Sequence, residues 1–187
     1  MPGRVIGPNI MTQAVRPDFA TALAHSGLLA ALAAFDPHVV GTPPLGLDVP
    51  TSDIDIVCCA PDFLSFTTLM WDGFRHEQCF GLRQWRSGER AVVASFTAHG
   101  WPFEVFASPR PVAQQAGWRH FRIEKRLLEL GGAALRRQVM ARRRAGAKTE
   151  PAFAQVLGLA GDAYAALLDL EDVSDTALRR LIVGAAG

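Results

Sequence analysis

Residues 52–58 read Ser-Asp-Ile-Asp-Ile-Val-Cys, so that carboxylates at 53 and 55 alternate with isoleucines at 54 and 56. Side chains on a β-strand point to opposite faces in turn. The period of two therefore predicts a strand that buries Ile54 and Ile56 and sends Asp53 and Asp55 out together. On one face of a strand such residues stand ~6.5 to 7 Å apart along the backbone. Two like charges at that spacing repel unless something positive sits between them. A hard divalent cation is the natural partner, as one or two Mg2+ ions among carboxylate oxygens.

The flanking segments place this strand in a mixed α/β chain. Residues 18–34 open on an Asp suited to N-capping and continue with Ala and Leu at helical spacing, which predicts a helix ended by Asp36-Pro37. His38 to Thr42 reads as a short buried strand. Pro43, Pro44 and Pro50, with Gly46, predict a loop without regular structure over 43–51. A helix follows over 61–72, then strands near 78–86, 89–98 and 101–107 joined by turns at Ser87-Gly88 and His99-Gly100. Beyond Pro109 and Pro111 the pattern turns helical, over 113–130 to Gly131-Gly132 and over 133–145 to Gly146. Thr149 is expected to cap the next helix, with Pro151 in its first turn, and Ser174 the last. The expected fold class is α/β (α+β), a mixed sheet flanked by helices over 1–112, with a helical region over 113–187 packed on it.

Composition narrows the setting. With 187 residues, 49% apolar and 20% charged, the chain has material for a substantial core and lacks the signature of disorder. No apolar run reaches the ~18 to 20 residues needed to span a bilayer, and the start MPGRVIGPNIMTQ lacks a secretory apolar core. The expectation is a cytoplasmic protein with no membrane partner. Cys58, Cys59 and Cys79 build neither a disulfide framework nor a metal knuckle, and read as small buried hydrophobes. Charge is unevenly spread: ten Lys or Arg against two Glu over 113–148 leave +8 there and −7 elsewhere. That suits a polyanionic ligand or internal pairing.

Glu104 stands between Phe103 and Val105 on the last predicted strand. If that strand lies beside 53–56 in one sheet, Glu104 completes a three-carboxylate site. Gly41-Thr42, shortly upstream, can offer backbone N–H groups and a hydroxyl to an anion. His120 and Glu124, four apart, share a helix face and read as a surface hydrogen bond or ion pair. Arg142, Arg143 and Arg144 sit near a helix end, suit its dipole and read as solvated; with no aromatic residues interleaved, nucleic-acid binding through them is not favoured.

These residues carry a resemblance. Val40-Gly41-Thr42, ten positions, Asp53-Ile54-Asp55-Ile56 and then Phe103-Glu104-Val105 resemble the nucleotidyltransferase fold superfamily, which has Gly-Gly or Gly-Ser, Asp-apolar-(Asp or Glu)-apolar and a later third acid. The wordings GTPPLGLDVPTSDIDIVC, Gln114 to Leu128, and KTEPAFAQVLGLAGDAYAALL are similar to the bacterial domain-of-unknown-function family numbered 4269.

The resemblance implies that Asp53 and Asp55 ligate metal, that Glu104 shares it or acts as base, and that Gly41 and Thr42 hold nucleotide phosphates. Ser52, Arg119, Arg122, Lys125 and Lys148 join the nucleotide-binding candidates. Thr42 stands where Ser or Gly is usual, and the prolines of 43–50 are expected to replace the short helix that commonly follows. The implied reaction is Mg2+-dependent transfer of a nucleoside monophosphate from a nucleoside triphosphate to an unknown hydroxyl acceptor. The alternatives are a catalytically silent nucleotide- or phosphate-binding module of the same fold, and an RNA-binding protein using the basic helices.

Overall fold

The computed structural model describes residues 16–88 and 90–185; the segment read above for a leader lies outside them. Five strands form one sheet in the order β1-β2-β5-β4-β3: β1 (His38–Val40), β2 (Ile54–Cys59), β3 (Gln78–Trp85), β4 (Ala91–Ala98) and β5 (Trp101–Ser108). β2 and β5 run parallel, and every other neighbouring pair is antiparallel. The predicted alternation holds on the central pair. Ile54, Ile56 and Cys58 of β2, with Phe103, Val105 and Ala107 of β5, enter one core. Val57 and part of Phe106 enter another on the opposite face.

The first core is closed by α1 (Phe19–Ser26), α2 (Leu28–Ala31) and α4 (Phe63–Phe74), through Leu28, Leu32, Phe66 and Met70. The single helix expected over 18–34 is two. Asp18 caps α1 as predicted, accepting from Thr21 N at 3.0 Å, but Gly27 takes φ 65 and stops it. Gly reaches the left-handed region at no steric cost, so the chain turns there and restarts.

The opposite face is covered by α5 (Ala116–Arg144), α6 (Thr149–Leu157), α7 (Ala163–Leu168) and α8 (Asp175–Gly184), around Leu127, Leu135, Val139, Phe153 and Leu167. α5 contains the predicted break, since Gly132 at φ 59, ψ −150 kinks it. Buried Gln115 ties its start to the sheet, donating to Cys58 O at 2.8 Å and Arg110 O at 2.9 Å. Gly117 lets α5 approach closely, because a Cβ there would lie 3.3 Å from Val57 Cγ1.

Other expectations are corrected. Residues 42–45 form a one-turn helix, α3 (Thr42–Leu45), instead of loop. Prolines in a first helical turn lack only N–H groups that have no partner there, so Pro43 and Pro44 fit. The short helix thought to be replaced is present. Thr149 is the first residue of α6, and the cap position belongs to Lys148 with no side-chain bond, whereas Ser174 does cap α8, accepting from Ala177 N. Cys58 is buried, but Cys79 is exposed.

Candidate active site

Parallel pairing sets Asp55 directly beside Glu104, in register between Ile54–Phe103 and Ile56–Val105. The adjacent β1 brings Val40 opposite Asp55, and the chain then turns at Gly41 into α3. Asp53, Asp55 and Glu104 thus share the floor of one cleft of about 820 Å³ with Gly41, Thr42 and Ser52. Thr42 Oγ1 donates to Ser52 Oγ at 3.1 Å, and Ser52 Oγ also accepts from Val49 N at 2.9 Å. Ser52 therefore holds the Pro-rich turn and orients Thr42. From the helical side, Arg136 donates to Leu45 O and anchors the end of α3.

The floor is electrostatically strained. Burial pushes the Asp55 carboxyl up to about 7, and Asp53, Glu104 and Glu150 add to the shift in that order. Glu104 has found a counter-charge, accepting from Arg83 at 2.7 Å. Among the described residues no group of three or more His, Cys, Asp and Glu closes around a metal-sized gap. The donor set nonetheless suits Mg2+: Asp53 and Asp55 offer only oxygen, and Mg2+ is usually held by one or two carboxylates plus water and phosphate oxygens.

The cleft's other wall comes from the helices: Gly117, His120, Phe121, Glu124 and Arg143 of α5, Lys148, Thr149 and Glu150 at the head of α6, and Tyr164 of α7. His120 Nε2 lies 3.0 Å from Tyr164 O. Glu124 is 3% exposed, and burial and nearby Glu150 drive its carboxyl well above the usual range, against the opposing pull of Arg143.

The family described as Domain of unknown function (DUF4269) matches residues 21–170, which takes in the floor and the wall together. The chain belongs to this family. No curated protein matches the DUF4269 chain in sequence. In fold it is similar to a structure of the GLD-2/RNP-8 complex, at 11% identity and a TM-score of 0.51, covering 87% of this chain and 72% of that one. A structure of Cid1 poly(U) polymerase with Mg and 3'-dATP bound matches 78% of this chain at 13% identity and a TM-score of 0.51. The DUF4269 chain spans 45% of that polymerase's length. The fold, an α+β mixed sheet flanked by helices, is similar to the fold of those structures. Among the described residues no helix is long and apolar enough to cross a membrane.

Of the residues singled out in the DUF4269 sequence, Gly41, Thr42, Ser52, Asp53, Asp55, Glu104 and Lys148 meet in the cleft. Arg119, Arg122 and Lys125 do not. Arg119 is bound to Glu171 at 2.6 Å, and Arg122 and Lys125 line a separate groove with Trp118 and Ile123. Helical spacing explains this, since His120 and Glu124 face the cleft and residues 119, 122 and 125 turn away from that direction. The His120–Glu124 face is buried instead of superficial. Arg143 belongs to the cleft, while Arg142 and Arg144 stay exposed as expected. Glu150, Tyr164 and Trp85 carried no local signal, because only the docking of their elements brings them here.

Gly41 has no freedom to vary. At φ 77, a Cβ would lie 2.3 Å from Asp55 Oδ2. Gly41→Ala is expected to destabilise the protein by about 2–3 kcal/mol in urea unfolding, through left-handed strain and displacement of the carboxylate. Gly27→Ala, at a left-handed position with nothing within 4 Å of the added Cβ, should cost less. Equal losses would show that contact with Asp55 contributes nothing.

Proposed function

We propose that this cleft moves a nucleoside monophosphate from a nucleoside triphosphate to a hydroxyl acceptor, with Mg2+ held by Asp53 and Asp55. The observation that carries the reading is the register of the parallel β2–β5 pair, which puts Asp55 beside Glu104 next to the Gly41-Thr42 turn. The Mg and 3'-dATP named with the Cid1 polymerase support the same ligand class here.

Bound Mg2+ would supply Lewis-acid polarisation of the phosphate oxygens. The chain's own groups do the rest. The backbone at Gly41, the Thr42 hydroxyl kept in place by Ser52, and the Lys148 ammonium hold the phosphates. Glu104 takes the proton of the acceptor hydroxyl as its oxygen bonds to the α-phosphorus. The bond from that phosphorus to the bridging oxygen breaks in line, and pyrophosphate leaves with the electron pair. Helices α5 to α7 exclude water from the far side of the cleft.

The Arg83–Glu104 pair favours a second reading, a module that binds nucleotide without transfer, because the proposed base is already engaged. Calorimetry with Mg2+ and a non-hydrolysable nucleoside triphosphate, paired with a pyrophosphate-release assay on the hydrolysable one, separates the two. Transfer requires binding and release together; binding without release for any hydroxyl acceptor supports the silent module; no binding rejects both. RNA binding through the basic helices is less supported, since Arg119 and Arg126 are spent on Glu171 and Asp175.

A further inference from the structure

The cleft gathers more carboxyl groups than the proposed transfer uses. Asp53, Asp55 and Glu104 lie on the sheet side, with Glu104 paired to Arg83, and Glu124 and Glu150 lie on the helical side with Arg143 and Lys148. The two wall carboxylates are remote in sequence from the metal floor and have no part in the transfer just described.

Glu124 is the informative member. Its side chain lines the cleft and is almost wholly buried, yet its Oε1 meets no hydrogen-bond donor. Arg143 is close enough to favour its ionised form, but the guanidinium Nε is also buried without a partner, while its Nη1 donates to Ala147 O at 2.8 Å. A buried polar atom left unsatisfied is costly, because it has given up water without gaining a partner. Two on one wall of a cleft leave an acceptor oxygen and an N–H donor without a partner inside the protein. Glu150, at the head of α6, adds a second carboxylate to the same wall.

The geometry points to this wall as the acceptor subsite, taking a small alcohol that bears ammonium groups. Glu124 and Glu150 receive the ammonium, Arg143 Nε–H meets an oxygen of the same molecule, and a free hydroxyl is left for the floor. The inference rests on the nucleotidyltransferase reading and names its acceptor class. An RNA end would bring a phosphate for every nucleotide against Glu124 and Glu150, where like charge opposes it. A neutral polyol could satisfy hydrogen bonds but would bring no counter-charge to Glu124 and Glu150. The ammonium is not consumed: the hydroxyl oxygen gains the nucleotidyl group, its proton goes to Glu104, and pyrophosphate departs.

The test is calorimetry on the full chain with Mg2+ and α,β-methylene-ATP, titrated in turn with 1,3-diamino-2-propanol, glycerol and a short oligouridylate. The diamine is expected to bind at least about tenfold more tightly than glycerol, and its affinity alone should fall as salt is raised from 50 to 500 mM. Glu124→Gln and Glu150→Gln should each weaken the diamine about fivefold or more. Equal affinity for diamine and glycerol, salt-independent diamine binding, or tighter binding of oligouridylate overturns the proposal. The salt series uses unsubstituted protein and stands even if a variant misfolds. Binding of α,β-methylene-ATP is recorded first, so its absence indicts the nucleotide reading, whereas its presence without amine preference indicts the acceptor class alone.

Discussion

Asp53→Ala and Asp55→Ala are each expected to lower nucleotidyl transfer by about a thousandfold or more, measured as pyrophosphate release with Mg2+. Asp53, immediately before β2, and Asp55 within it both line the cleft, and the neighbouring β5 cannot replace them because Glu104 is held by Arg83. Removing either therefore takes away half of the proposed metal-binding set. The loss should not come from unfolding. Asp55 is buried among other acids, so its truncation relieves repulsion even as it leaves a small cavity. A variant that melts at or near the parent's temperature yet binds no Mg2+-nucleotide fits this account. Full activity in Asp55→Ala would remove the basis for a metal site on β2.

The second large effect concerns pH. The Asp55 carboxyl ordinarily titrates at 3.8 and is pushed up to about 7 in the fold, chiefly by burial and then by Asp53, Glu104 and Glu150. The folded chain thus holds a proton that the unfolded chain gives up. That contribution to stability is complete below 3.8, declines as pH rises, and is lost once pH passes about 7. A shift of this size corresponds to roughly 4 kcal/mol between the two ends. Asn keeps the shape and carries no charge at any pH. In EDTA, Asp55→Asn is expected to melt progressively above the parent as pH goes from 5 to 8, by on the order of 10 °C at the upper end. Adding Mg2+ at pH 8 should raise the parent and leave the variant unmoved, because binding to the folded state alone stabilises it. A constant difference across pH, or no Mg2+ response, would contradict the proposed site.

Much of the floor was legible because strand chemistry is local. The alternation at 53–56 predicts which side chains are buried, and Phe103-Glu104-Val105 predicts a second such strand. The turn at Gly41-Thr42 is legible only in part, because the prolines that follow it break a helix interior yet suit a helix start, and a one-turn helix stands there. The basic residues misled. Arg119, Arg122 and Lys125 lie close to the floor in sequence order, yet helix periodicity turns them elsewhere, and Arg119 ends on Glu171, 52 residues away.

Residue order alone specified the strands, the shared direction of Asp53 and Asp55, the break at Gly132 and the caps at Asp18 and Ser174. Each depends on backbone preferences or side-chain periods acting over a few positions. The pairing of Asp55 with Glu104, the choice of Lys148 and Arg143 over the other basic residues, and the wall of Glu124, Glu150 and Tyr164 came from packing. These groups are separated by tens of residues, and their spacing follows from how α5 to α7 close on Val57 and its neighbours. Burial among distant partners, which no local pattern encodes, also shifts the carboxyls of Asp55 and Glu124.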